Sequence, residues 1–154
     1  MILNKKITCC FAGHRHIYDS DLKTKMKKLI VSLIENGASV FLVGNYGDFD
    51  RLSSSVVRSL KENYPFIQLN LVIPYLTKEI ISQKEWYESR YDHILLSEIK
   101  ENTPRHLRII EGNESMINQS DILISYVLHS TGGANKTLSY AKKKNLTIYN
   151  LAEL

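Results

Sequence analysis

Cysteine is nearly absent from this sequence, and its placement excludes two common uses of the residue. The two cysteines, Cys9 and Cys10, are adjacent. Neighbouring side chains on a strand point to opposite faces, so this pair is poorly placed for a disulfide or for a shared metal ion. We therefore expect two buried, reduced thiols that serve as small apolar side chains.

Long apolar runs are missing as well. No stretch of the 154 residues is long and apolar enough to span a bilayer. The opening residues, MILNKK, have neither the apolar segment nor the cleavage site of a signal peptide. We therefore expect a cytoplasmic protein that has no membrane partner.

A strong excess of one charge is also lacking, since 20 basic residues oppose 16 acidic ones and the net charge is +4. Basic runs occur at residues 23–28 and 142–144. The first run overlaps an apolar stripe at helical spacing, which places its lysines mainly on the opposite, solvated face. Because neither run is interleaved with aromatic residues, the sequence argues against nucleic acid as the partner.

The sequence does contain short apolar runs that alternate with helical patterns. Runs typical of strands occupy residues 7–12, 39–43, 67–73, 94–97, 121–127 and 147–150, and the runs at 7–12 and 121–127 are typical of buried strands. Helical patterns follow, with Asp50 as a candidate N-cap for the second helix and Pro104 as a candidate opening for a later one. This alternation predicts one α/β domain over residues 1–154, doubly wound, with a mainly parallel sheet and helices on both faces.

Glycine and polar residues collect after the predicted strands, where ligands bind in open α/β sheets. The loops after five predicted strands, including Pro74-Tyr75 after the third and Glu98 after the fourth, are expected to share one cleft. The candidate ligand-binding residues are Gly13, His14 and Arg15 after the first strand; Gly44, Gly47, Asp48 and Asp50 after the second; and Ser130, Thr131, Gly132, Gly133, Asn135, Lys136 and Thr137 after the fifth.

Gly132-Gly133 is placed to open a helix. Backbone amides at such a turn, together with the helix N-terminus, favour a phosphate. A simple tight turn is the alternative, because the segment lacks the ending of a P-loop and the three-glycine dinucleotide fingerprint.

Gly13 allows a sharp exit from the first strand, and the Arg15 guanidinium suits a phosphate or a carboxylate. Alternatively, Arg15 pairs with a structural carboxylate such as Asp48 or Asp50. A carboxylate here also suits ribose hydroxyls. No metal site is predicted, because His14 and its neighbour His16 have no companion ligands at suitable spacing.

Glu98 is the carboxylate that follows the short fourth strand, which makes it a candidate catalytic acid or base. A surface or salt-bridged glutamate is the competing interpretation. No nucleophile motif such as Gly-x-Ser-x-Gly is present.

Several motifs, in order along nearly the whole chain, resemble the YpsA-like branch of the SLOG superfamily, whose Rossmann-like domains are related to DprA/Smf and Lonely Guy (LOG) proteins. The matching segments are CFAGHR at residues 10–15, the Gly47 and Asp50 loop, LVIP at 71–74, Trp86, Tyr91, Asn113, Met116, Ser120, Asp121 and GGANKTLSYA at 132–141. The resemblance implies a Rossmann-like fold that binds a nucleotide or a nucleotide-derived phosphorylated ligand at the strand ends.

Two positions depart from the pattern of these families. Gly112 replaces the arginine expected before Asn113, although Arg105 and Arg108 lie upstream. Ser139 occupies the position of the glutamate that LOG-type phosphoribohydrolases use to cleave the N-glycosidic bond. Hydrolysis of a nucleotide, with Glu98 as the substitute acid, is therefore an alternative to ligand binding alone.

The expected partner is a small phosphorylated nucleotide-like ligand, with no further cofactor. Pairing of the chain with a second copy is compatible with the sequence. Binding of single-stranded DNA, by analogy with DprA, is the remaining alternative.

Overall fold

The structure is a computed structural model that describes residues 6–128, 130 and 132–154. Strands and helices alternate along it. The strands are β1 (Ile7–Gly13), β2 (Ala38–Val43), β3 (Gln68–Ile73), β4 (His93–Leu96), β5 (Ile122–Tyr126) and β6 (Thr147–Asn150). The helices are α1 (Leu22–Glu35), α2 (Asp48–Leu60), α3 (Lys78–Ser82), α4 (Lys84–Arg90), α5 (Arg108–Asn118) and α6 (Gly133–Lys143), and short 3-10 turns cover Arg105–Leu107 and Leu151–Glu153.

The six strands form one sheet in the order β4-β3-β2-β1-β5-β6, and every pairing is parallel. The chain lays down β1 to β4 outward in one direction and then returns to place β5 beside β1. The strand order therefore reverses between β1 and β5, and a crevice for ligands is expected at the carboxyl ends of these two strands. The predicted doubly wound α/β fold is confirmed, and each predicted strand lies within two residues of the observed one.

Helices cover both faces of the sheet. The side chains of β1 point alternately to one face and the other, and they pack against helices on each side. Cys9 and Phe11 pack against α1 and α2, whereas Cys10 and Ala12 pack against α5 and α6. Both cysteines are unbonded and buried, as predicted. Burial raises the pKa of each thiol to about 12, so both stay protonated at neutral pH.

Helix α1 buries its predicted apolar stripe. Leu22, Met26 and Ile30 are fully buried, whereas Lys23, Lys27 and Lys28 are exposed. The first basic run therefore forms a solvated helix face. In the part of the chain that the structure describes, no helix combines the length and apolar character needed to cross a bilayer.

The predicted start of the second helix was wrong. Helix α2 begins at Asp48 with Gly47 as its N-cap, so Asp50 is the third helical residue. Asp50 Oδ2 instead accepts a hydrogen bond from the Tyr46 amide, at 3.0 Å. A carboxylate at this position reaches back to an amide that precedes the helix, as in a capping box.

Candidate functional site

A cavity of about 280 Å³ lies at the carboxyl end of β1, next to the reversal of strand order. The loops after β1 and β2 form one side, and α5 and the start of α6 form the other. Its walls are formed by Phe11, Ala12, Gly13, His14, Arg15, Tyr46, Gly47, Asp50, Ile109, Ile110, Asn113, Gly133 and Ala134. The structure thus brings the predicted loops around residues 14 and 133 to the same cavity.

Arg15 brings a positive charge to this cavity. Its Nε donates to the Tyr46 carbonyl oxygen at 3.2 Å. Asp48 pairs with Arg51 at 2.5 Å, and Asp50 accepts from the Tyr46 amide. Among the described residues no carboxylate forms an ion pair with Arg15, so its pairing with Asp48 or Asp50 is excluded.

The N-terminus of α6 adds a second positive end. Gly132 is the N-cap with a φ of 99°, a conformation that favours glycine. The first turn of α6 contains no acidic residue, and no side chain within the described ranges caps it. Apart from the chain neighbours and the backbone of α6, no atom of the described residues lies within 4 Å of the position that a Cβ would occupy on Gly132 or Gly133. The exposed amides of this turn are therefore open to an anion.

The loops after β1 and β2 are fastened together. The Asp48 amide donates to the Arg15 carbonyl oxygen at 2.8 Å. A Cβ on Gly47 would lie 2.6 Å from the Arg15 Cα. Glycine at position 47 is thus explained by the close approach of two backbones, which fixes where Arg15 stands.

His14 connects the loops after β1 and β5. Its amide donates to the Tyr126 carbonyl oxygen at 3.3 Å, and its Nε2 accepts from the Leu128 amide at 2.7 Å. This ring nitrogen therefore carries no proton in the observed arrangement. His14 lines the cavity and also holds its wall in place.

Asp50 is the one acidic residue among the described residues that line the cavity. Burial raises the pKa of its carboxyl group to about 6, against the opposing effects of the Tyr46 amide and Arg51. Burial is also the main reason that the pKa of the neighbouring Tyr46 phenol is raised, with Tyr75 and Asp50 adding to it. Asp50 therefore changes its charge near pH 6.

Several predicted ligand-binding side chains are engaged elsewhere. Asp48 accepts from the Ile17 amide at 3.0 Å, and this bond is the main reason that its pKa is lowered. Asn135 Nδ2 donates to the Ser130 carbonyl oxygen at 2.7 Å. The buried Thr137 hydroxyl donates to the Gly133 carbonyl oxygen at 3.1 Å. These side chains stabilise the loops and the first turn of α6.

The remaining predicted residues do not line the cavity. Ser130 and Lys136 are exposed, and Gly44 is buried behind Asp50. A Cβ on Gly44 would lie 3.1 Å from Asp50 Oδ2. Thr131 lies outside the described residues.

Glu98 lines a different cavity, of about 770 Å³, together with residues of α5 such as Glu111 and Glu114. It is absent from the walls of the cavity that contains Arg15 and Gly133. The structure therefore does not bring Glu98 together with the predicted phosphate-binding groups, and the catalytic role suggested for it has no geometric support.

Position 112, where the resembling family has arginine, faces away from the candidate site. A Cβ on Gly112 would lie 3.2 Å from Ser97 Oγ and 3.5 Å from Pro74 Cβ. The upstream guanidinium groups of Arg105 and Arg108 lie 5.3 and 5.8 Å from the centre of the Tyr75 ring. Both are thus within the range of a cation–π contact at the end of β3.

Part of the cavity was not predicted from the sequence. Tyr46 lies in a loop that was predicted to line the cleft, and Asn113 lies in one of the resembling motifs, so the sequence contained a signal for both residues. The sequence contained no signal that Ile109 and Ile110 line the cavity, because two apolar residues in an amphipathic helix are expected to pack in the core.

Comparisons with known proteins agree with this fold. No known family profile matches the sequence. The chain is 28% identical over 144 residues to the UPF0398 protein BH1768 of Halalkalibacterium halodurans, covering 86% of this chain and 73% of that protein.

Two solved structures of DNA processing protein A (DprA) are similar in fold. The protein from Streptococcus pneumoniae superposes with a TM-score of 0.70 and 15% identity, over 94% of this chain and 50% of that one. The protein from Helicobacter pylori, described for its single-stranded DNA binding mode, gives 0.66 and 18%, over 92% and 63%. The chain therefore spans about half to two thirds of the DprA chains that it matches.

The fold, the UPF0398 relative and the ordered motifs are consistent with one another. The likeness to DprA covers nearly all of this chain, and the motifs are consistent with the YpsA-like branch. The chain therefore has the Rossmann-like fold of the DprA proteins, and its ordered motifs resemble those of the SLOG superfamily.

Proposed function

We propose that the 280 Å³ cavity binds a nucleotide or a nucleotide-derived phosphorylated ligand. The observation that carries this proposal is that Arg15, which has no acidic partner among the described residues, and the uncapped N-terminus of α6 line the same cavity. Two positive groups that no carboxylate of the described residues neutralises in an ion pair favour an anion, although Asp50 lines the same cavity. A guanidinium fork and a row of backbone amides both match the oxygens of a phosphate.

The other walls suit the sugar of such a ligand. Asp50 Oδ2 is occupied by the Tyr46 amide, but a carboxylate has acceptor capacity on its second oxygen. Asn113, from α5, adds an amide group. We assign these two side chains to the hydroxyl groups of a ribose, and the ligand is held without a metal ion.

Calorimetric titration with AMP, GMP, CMP, UMP and ribose 5-phosphate tests the proposal. At least one of these compounds is expected to bind and to raise the melting temperature in proportion to its affinity. Arg15→Ala is expected to weaken that binding by about 30- to 150-fold, because a charge-assisted hydrogen-bonded contact is worth roughly 2–3 kcal/mol. The fold should be unaffected, since Arg15 is exposed.

Arg90→Ala is the matched control. Arg90 lies on α4, with its guanidinium 4.3 Å from the centre of the Trp86 ring, and it is absent from the cavity walls. This variant should bind like the original protein. Absence of binding by every compound, or equal losses for the two variants, would contradict the proposal.

Single-stranded DNA is the second candidate, and the likeness to the DprA of H. pylori motivates it. Fluorescence anisotropy with a labelled oligothymidylate tests it at low salt, where phosphate contacts are strongest. We expect little binding, because the lysines of the first basic run lie on an exposed helix face away from the cavity. Binding that tightens steeply as salt is lowered, and that AMP does not compete with, would favour DNA instead.

A further inference from the structure

A second cavity, of about 510 Å³, adjoins the first. The two cavities share His14 and Arg15, which form the wall between them. The second is lined by His14, Arg15, His16, Tyr18, Asp19, Tyr126 and Leu128. It therefore lies on the α1 side of the loop after β1 and is completed by the end of β5.

Large apolar groups are exposed in this second cavity. Tyr18 is 94% exposed and Leu128 is 61% exposed, so neither side chain contributes to the core. Exposed aromatic and aliphatic groups that meet in one concavity are typical of a ligand-binding surface. None of the described residues of the first cavity presents an aromatic ring exposed to this degree.

Tyr126 forms a rigid part of the wall. Its hydroxyl donates to Asp19 Oδ2 at 3.2 Å, and the His14 ring meets it edge-on at 6.2 Å. Asp19 Oδ1 accepts from the Asp21 amide at 2.9 Å. The ring is thus held from two sides, and polar groups lie at its edge.

On the basis of the proposed function, we infer that the second cavity receives the nucleobase while the phosphate lies in the first. A base is a flat group with an apolar face and a polar edge. The aromatic face of Tyr18 offers a stacking partner, and Asp19 and His16 offer polar groups for the edge. The ribose then lies beside His14 and Arg15, where the two cavities meet, with its hydroxyl groups toward Asp50 and Asn113 of the first cavity.

The two cavities differ in their lining groups, and this difference determines which end of the ligand lies in which cavity. The open N-terminus of α6 contributes only to the first cavity, through Gly133 and Ala134. The exposed Tyr18 and Leu128 contribute only to the second. The first cavity alone falls just below the usual range of roughly 300–1,000 Å³ for ligand sites, whereas the two together lie within it.

Calorimetric comparison of AMP with ribose 5-phosphate tests the inference, because the second compound has a hydroxyl group in place of the base. We expect AMP to bind at least about 10-fold more tightly. Tyr18→Ala should weaken AMP binding by roughly 5- to 100-fold, the usual effect of losing one stacked aromatic ring. The same substitution should leave ribose 5-phosphate within about twofold of the original affinity, and Tyr18→Phe should preserve AMP binding.

Phe66→Ala is the control, since Phe66 is a 62% exposed aromatic residue that lines neither cavity. Equal affinity for AMP and ribose 5-phosphate would overturn the inference and leave the proposed function standing. Equal losses of both compounds in Tyr18→Ala would overturn it too, because the phosphate would then lie beside Tyr18. Failure of AMP, GMP, CMP, UMP and ribose 5-phosphate alike to bind the original protein would overturn the proposed function itself.

Discussion

Gly13→Ala is expected to destabilise the protein by about 3 kcal/mol or more, which matches the upper range for overpacking a core. A Cβ on Gly13 would overlap the Phe49 side chain, with Cδ2 and Cβ of that residue 2.5 and 2.9 Å away. Phe49 is fully buried, with the rings of Phe11 and Tyr126 at 6.3 and 6.5 Å. It has no space to move aside, so either β1 or α2 must shift.

Urea unfolding, followed by circular dichroism, measures this effect. Gly133→Ala is the control, because its Cβ meets nothing within 4 Å and alanine favours a helix. That variant should be as stable as the original protein or slightly more so. Adding Phe49→Leu to Gly13→Ala should recover part of the loss. A Gly13→Ala protein with an unchanged unfolding midpoint would show that the contact is not tight.

Gly13 also shows what the sequence reveals and what it hides. The order of strands and helices could be predicted because each element carries its own local periodicity. The glycine itself was attributed to a sharp turn, but it is the last residue of β1 and its φ is not positive. Its true constraint is a contact with a residue 36 positions later, which no local pattern contains.

The misplacement of Glu98 has a similar cause. The carboxyl ends of all strands in a parallel sheet lie at one edge, so a carboxylate after β4 was expected near the cleft. The lateral order of the strands is a tertiary property, and β4 is separated from β1 by β3 and β2. At about 4.8 Å per strand this places the two strand ends roughly 14 Å apart.

The partners of Arg15 could not be assigned from the sequence either, because two carboxylates follow in the next loop. Asp48 and Asp50 are equally near in sequence. Only the start of α2 at Asp48 decides that the first meets Arg51 and the second meets the Tyr46 amide. The position of the helix start, which the sequence misplaced, thus determines that neither carboxylate forms an ion pair with Arg15 in the cavity.

Asp50→Asn is expected to stabilise the unliganded protein at pH 7.5 by up to about 3 kcal/mol, from the difference between the unfolded and folded pKa values. The folded carboxyl group has a pKa of about 6, raised from 3.8 by burial. Between these values the folded state holds a proton that the unfolded state has released. The contribution of Asp50 to stability therefore falls as pH rises from about 4 to 6, and it stays low above pH 6.

Urea unfolding of Asp50→Asn and of the original protein at pH 4.5 and 7.5 measures this contribution. At each pH it is the difference between the two free energies of unfolding. The gain from Asp50→Asn should be large at pH 7.5 and small at pH 4.5, since the asparagine oxygen can still accept from the Tyr46 amide. Asp48→Asn should show the opposite sign, because the pKa of Asp48 is lowered and its ionised form stabilises the fold above about pH 4. If the free energies of unfolding of Asp50→Asn and of the original protein depend on pH in the same way, the carboxyl group is not desolvated. A stabilising variant that also weakens AMP binding would show that the buried charge is kept for its ligand, at the expense of stability.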